Sequence, residues 1–241
     1  MKRTERRHLK EHELQRFAIE VREAFEARKR ETTIGIVAVV VVVAAFIGYF
    51  GWKERTEGRA DTMLAEALAI QDARVGAPAA PGTPNAGLSF PTEQARAEAA
   101  LARFKAVADA YPSSQAGIFA RYQEAVSQMT LGQPAAAAAL YQDVIKRDGS
   151  GIYGQMARLG LAEAQARAGQ YDLAIKEFSD LSQRKDGPLP VDAILMQLGR
   201  TYLEAGKRAE AQQTFNRIVQ EYPDSPFSGD ARRELDNLKK T

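Results

Sequence analysis

A period of 37 residues constrains this chain more than any other feature. Phe104, Tyr141, Phe178 and Phe215 stand 37 residues apart, and so do Ala100, Ala137, Ala174 and Ala211. Gly132, Gly169 and Gly206 keep the same spacing, and Val107, Val144, Leu181 or Ile218 follows each ring by one helical turn. An alanine and a ring at i and i+4 share one face of a helix. The small residue lets a neighbouring backbone approach, and the ring fills the space beside it. The glycines are suited to end one helix and turn the chain back. Each unit is then a helix hairpin that cannot bury its apolar face alone, so units must stack. The expected fold class is an all-α solenoid of helix hairpins.

A second feature precedes the repeats. Residues 33–52 carry no charge over 20 positions, and eleven of these are Val, Ile or Phe. Twenty helical residues rise about 30 Å, the thickness of bilayer hydrocarbon. Tyr49 and Trp52 lie at one end, where amphipathic rings favour the membrane interface. A buried core helix of this length would carry some polar residues. A cleavable signal peptide would have a shorter positive arm and a small-x-small site, and the stretch Ile47 to Trp52 has none. The segment reads as a retained signal anchor in the lipid bilayer. Residues 1–31 hold ten Lys and Arg, and the 20 residues after the span hold three. This places the N-terminus in the cytoplasm and the C-terminal part on the far side of a bacterial inner membrane, in the periplasm or its equivalent.

Composition removes several chemistries. The chain of 241 residues has no cysteine, and its two histidines, His8 and His12, lie at the N-terminus. Cys- and His-based metal sites, disulfides and thiol nucleophiles are excluded. The net charge is +2 overall and −1 over residues 53–241, which carries no basic stripe for nucleic acid. There is no Gly-rich phosphate loop and no G-x-S-x-G. Glu163 and Glu204 sit among basic residues and read as a solvated face. No enzyme activity, cofactor or metal is expected, and the expected partners are proteins.

The organisation follows. Residues 1–32 form a charged arm, in which Leu14, Phe17, Ala18, Val21 and Phe25 line one helical face. That helix suits the inner leaflet, a membrane partner or a plain juxtamembrane role. The span covers 33–52, and a helix continues over 53–74. Residues 75–91 form a linker whose four prolines and three glycines oppose regular structure. It reads as a tolerated insertion rather than a binding loop. Residues 92–241 hold the hairpins, at about 114–147, 151–184 and 189–221 after an imperfect first one, with a polar closing helix near 226–239.

At these residues the chain resembles the tetratricopeptide repeats. Leu195, Leu198, Gly199, Tyr202, Gly206, Ala211, Phe215, Ile218 and Pro223 fall at signature positions of the last unit. The third unit keeps Leu161, Ala162, Gly169, Ala174 and Phe178, with Asp186 in place of proline. The second keeps Ala125, Gly132, Ala137 and Tyr141, but Arg121 and Glu124 replace apolar residues and Gly149 replaces proline. The resemblance implies a concave groove lined by the first helix of each hairpin. Residues facing it would include Phe119, Tyr122, Val126, Met129, Met156, Leu159, Met196 and Arg200. It also implies adaptable binding of extended protein segments. The family's Lys/Asn clamp for a C-terminal carboxylate is missing from these positions.

The wider layout is similar to that of a bacterial family: a charged arm with His8-Leu9-Lys10-Glu11, one span, an Ala/Pro linker and degenerate hairpins. This is the family of the ancillary SecYEG translocon subunit (YfgM-like). The likeness implies partners among translocon subunits, periplasmic chaperones and exported chains. The ending Tyr222 to Pro226 also resembles scaffolds of envelope assembly or division, which are usually lipoproteins or soluble periplasmic proteins; the cysteine that a lipoprotein needs is absent here. The topology reading predicts that alkaline phosphatase fused after Thr241 is active in a bacterial host, and that the same fusion after Arg30 is inactive.

Overall fold

The computed structural model describes residues 29–77, 87–184 and 187–240, with side chains from Thr33 onward. The arm helix over 14–25, the motif at His8, Asp186 and the linker interior 78–86 lie outside the described residues. Two compact units divide at Arg55.

In the first unit the described residues are helical, as the start of α1 (Lys29–Gln71). Large apolar side chains from Ile34 to Trp52 are more than half exposed or close to it. Among the described residues this is the one helix long and apolar enough to cross a membrane, with a mean hydropathy of 2.6 in its most apolar window.

The second unit holds the rest of α1 and then α2 (Glu93–Ala110), α3 (Gln115–Thr130), α4 (Pro134–Asp148), α5 (Ile152–Arg167), α6 (Tyr171–Ser182), α7 (Val191–Glu204), α8 (Arg208–Glu221) and α9 (Ser228–Lys240). Consecutive helices from α2 to α9 pack on one another, and the first helices of successive hairpins also touch, α3 with α5 and α5 with α7. The fold is an all-α solenoid of the tetratricopeptide type.

Local chemistry sets the helix ends. Gly132, Gly169 and Gly206 adopt φ of 72°, 74° and 74°, the left-handed region that side chains resist. Each closes the same pair of bonds. The amide after the glycine donates to a carbonyl five residues back (Gln133 to Gln128, Gln170 to Gln165, Lys207 to Tyr202, each 2.8–2.9 Å). The glycine amide donates three residues back, to Met129, Ala166 or Leu203. This double closure satisfies carbonyls that a helix end leaves open. Helix starts are capped by side chains. The Thr92 hydroxyl accepts from the Ala95 amide and Ser114 from Gly117. The Asp148 carboxylate accepts from the Gly154 amide at 3.0 Å.

The linker is more regular at its ends than its composition suggests. Arg74–Val75 (β1) pairs in parallel with Ser89–Phe90 (β2), Arg74 opposite Ser89 and Val75 opposite Phe90. Arg96 of α2 donates to the Ala73 carbonyl at 3.2 Å and holds this base against the helix. The expectation that 75–91 forms no regular structure is corrected here. None of the four paired residues is Pro or Gly, so their amides are free to bond.

Three apolar clusters form the core. Met63, Leu64 and Ala67 of α1 meet Ala100, Phe104 and Val107 of α2. Tyr141, Val144 and Leu161 centre the second cluster, and Phe178, Leu195 and Phe215 the third. The four periodic rings are 0–3% exposed and the four periodic alanines 0–2%. Gly199 shows how tight the seat is: a Cβ there would lie 2.4 Å from the Phe215 ring.

Arg121 and Glu124, at positions expected to be apolar, form an ion pair in which Glu124 is buried and Arg121 half-buried. Arg121 donates to Asp109 of α2 and to Glu124, both at 2.6 Å, and lies 3.4 Å from Asp143 of α4. Arg147 joins Asp143 at 3.0 Å and donates to the Pro112 carbonyl. Burial pushes the Glu124 carboxyl up and the Arg121 charge pulls it back. One guanidinium thus ties three helices where the other hairpins use side-chain packing.

Gly199→Ala forces its methyl group into a ring that is fully buried. It is expected to cost about 1–3 kcal/mol, read as a lower melting temperature by circular dichroism.

Candidate functional site

The first helices of the hairpins, α3, α5 and α7, line two hollows that share residues. The first encloses about 380 Å³ between α3 and α5, lined by Tyr122, Val126, Met129, Thr130, Tyr141, Met156, Leu159, Gly160, Glu163, Arg167 and Leu189. The second encloses about 330 Å³ between α5 and α7, lined by Glu163, Ala166, Arg167, Phe178, Gln197, Arg200, Thr201 and Glu204. Glu163 and Arg167 line both, so the two hollows adjoin along the inner face of α5.

The spacing on α5 explains this face. Met156, Gly160, Glu163 and Arg167 follow one another at three- and four-residue steps, with Leu159 three after Met156, and share one side of the helix. Gly160 opens the floor. A Cβ at that position would lie 2.4 Å from the Tyr141 ring, so the glycine lets this core tyrosine reach the groove. Tyr122 lies 5.7 Å from Tyr141, ring to ring. Phe119 stacks on Tyr122 at 6.4 Å and meets Tyr153 of α5 at 5.1 Å. A line of aromatic rings therefore runs from α4 across α3 to α5.

Among the residues expected to face a groove, Tyr122, Val126, Met129, Met156 and Leu159 come together in the first hollow. Arg200 lies in the second, 3.8 Å from Asp230 of α9. Phe119 is half-buried in the aromatic line and outside both hollows. Met196 is corrected: it is 1% exposed and belongs to the core. The reason is the position of α7, which packs on α5, α6 and α8. Ile194, Leu195, Met196 and Leu198 are all sunk as a result.

Glu163 is the residue that sequence reasoning missed. It was expected on a solvated face, yet it stands half-buried at the join of the two hollows. The signal was present, because Glu163 falls seven residues after Met156 and four after Leu159 on the same stripe. Burial pushes its carboxyl up from the usual range, and the field of Arg167 one turn along opposes this only in part. Burial likewise pushes up the phenols of Tyr122 and Tyr141, and the Glu163 charge adds to both. Among the described residues no cluster of His, Asp or Glu could hold a metal ion. The surface is built for contact: apolar and aromatic walls, one central carboxylate, and cations at the rim.

A family model for the tetratricopeptide repeat-like domain matches residues 29–239. No curated protein matches the chain. Similar solved structures include two of a Podosopora anserina protein described as a kinesin light chain with nearly identical TPR-like repeats, one of them a point variant. The variant is 15% identical with a TM-score of 0.58, over 76% of this chain and 86% of that one. The other is 14% identical with the same score, over 76% and 87%. The structure of YrrB, described as a TPR protein with an unusual peptide-binding site, is 18% identical at a TM-score of 0.43, over 58% and 75%.

The raised Glu163 carboxyl fixes the sign of a pH effect. Its folded-state value lies above the unfolded one, near 4.3. Its stabilising share is therefore complete below that pH and is lost as pH rises through the folded-state value. Glu163→Gln is expected to melt above the parent at pH 7, with the difference closing below about pH 4.

Proposed function

The chain belongs to the tetratricopeptide repeat-like family, and from that premise we propose that it is a membrane-anchored protein–protein interaction module that holds extended polypeptides in the groove between α3, α5 and α7. The two adjoining hollows on the inner faces of α3, α5 and α7 carry this reading. The walls of Tyr122, Met129, Met156 and Leu159 are apolar and adaptable, suited to varied side chains. The reading is non-catalytic. The span over 33–52 anchors the chain in the inner membrane, with the N-terminus cytoplasmic and the repeats in the periplasm. The layout of arm, single span and degenerate repeats supports a role as an accessory of the protein-export translocon, passing emerging chains to periplasmic chaperones.

The competing reading is a scaffold for cell-envelope assembly or division. Its motif, Tyr222 to Pro226, is occupied internally. The Ser225 hydroxyl donates to the Asp192 carboxylate at 2.6 Å and accepts from the Phe227 amide at 3.0 Å. This fixes the entry to α9, so the motif has a structural use without any partner.

Photo-reactive residues at Tyr122 and Leu159 in membranes are expected to capture translocon subunits together with a spread of exported chains. Capture of one discrete folded partner in fixed stoichiometry, without the translocon, overturns the export reading in favour of the scaffold.

A further inference from the structure

Resting on the groove reading above, we propose that the hollow between α3 and α5 is a subsite for a lysine or arginine side chain of an extended peptide, with the Glu163 carboxylate as its ionic partner and the Tyr122 and Tyr141 rings beside it. The argument begins with pairing. Elsewhere in the repeats, partly buried acids have partners: Glu124 has Arg121, Asp143 has Arg121 and Arg147, and Glu177 lies 3.7 Å from Arg158; Glu204, the other acid lining the hollows, is exposed. Among the described residues no ion pair or hydrogen bond reaches Glu163. A carboxylate partly withdrawn from water without an ionic partner loses hydration, and a cation brought into the same hollow recovers part of that loss.

The surroundings select a cation on a long stem. Tyr122 and Tyr141, 5.7 Å apart ring to ring, line the same hollow as Glu163. Ring faces attract ammonium and guanidinium groups, and more strongly out of water. Arg167 is exposed, so water screens its charge, whereas the guest cation would sit within the hollow. An anionic guest would meet Glu163 at the floor of either hollow. Val126, Met129, Met156 and Leu159 then take an apolar side chain of the same peptide. Residues two apart in an extended strand point the same way, roughly 7 Å from each other. The expected ligand is therefore a basic and an apolar residue separated by one position.

The test pans random octapeptides displayed on phage against the full chain in lipid nanodiscs. The parent is expected to enrich basic-x-apolar or apolar-x-basic peptides, and Glu163→Lys to enrich acidic residues at the basic position. The best peptide, made again with norleucine in place of its basic residue, should bind the parent at least about tenfold more weakly. It should bind Glu163→Gln, a near-isosteric variant checked for folding by its melting curve, no differently from the unmodified peptide. Enriched peptides whose charge ignores residue 163 overturn the subsite and leave the groove standing. Failure of any peptide to enrich, or enrichment unaltered by Tyr122→Ala with Met129→Ala, overturns the groove reading and the subsite with it.

Discussion

Four buried rings packed among small residues hold the repeat stack together. Phe104, Tyr141, Phe178 and Phe215 come from the second helix of each hairpin, and each is removed from solvent on folding. Their neighbours are chosen for smallness. Gly199 leaves no room for even a methyl group beside Phe215, and Gly160 leaves none beside Tyr141. Burying an aromatic side chain contributes more than any single surface contact here. Because each ring engages only adjacent helices, stability is built from neighbour terms and the stack has no single centre. The closing helix α9 ends the stack with Ala231 and Leu235 inward and charged residues outward.

The same device produces the groove. Seating Tyr141 of α4 against Gly160 packs the second hairpin on α5, and the inner faces of α3 and α5, which also touch, line a shared hollow. Tyr141 serves both purposes. Its ring belongs to the core of the second hairpin, while it also lines the hollow that Gly160 opens. Where the second hairpin gives up apolar residues, the Arg121 ion cluster replaces them. That exchange is costly in desolvation, and it is offset only because every member finds a partner at short range.

The stacking was legible in the sequence because it depends on residue types that are strict in their demands. A left-handed turn needs glycine, a tight seat needs alanine or glycine, and the space beside it needs a ring. These demands repeat at 37 residues and can be read without coordinates. The groove was legible only in part. Tyr122, Val126, Met129, Met156 and Leu159 follow from the helix period, but Met196 and Glu163 do not. Their exposure depends on how many neighbours each helix has, and α7 has neighbours on three sides. A charged residue also suggests water by default, which hid Glu163. The pairing at the linker base was hidden for a related reason: a two-residue ladder leaves no period to detect.

That ladder has an evolutionary consequence. Arg74 donates to the Leu88 carbonyl, and Gly76 to the Phe90 carbonyl at 2.9 Å, so the chain leaves and re-enters the solenoid at one point. With the ends clamped together, lengthening what lies between adds only about 0.6 kcal/mol for each doubling. The hairpins on either side need not shift to accommodate it. The stem is thus a natural docking port for new sequence: relatives can lengthen, shorten or replace the inserted segment, even with a separate folding module, while the register of the rings stays fixed.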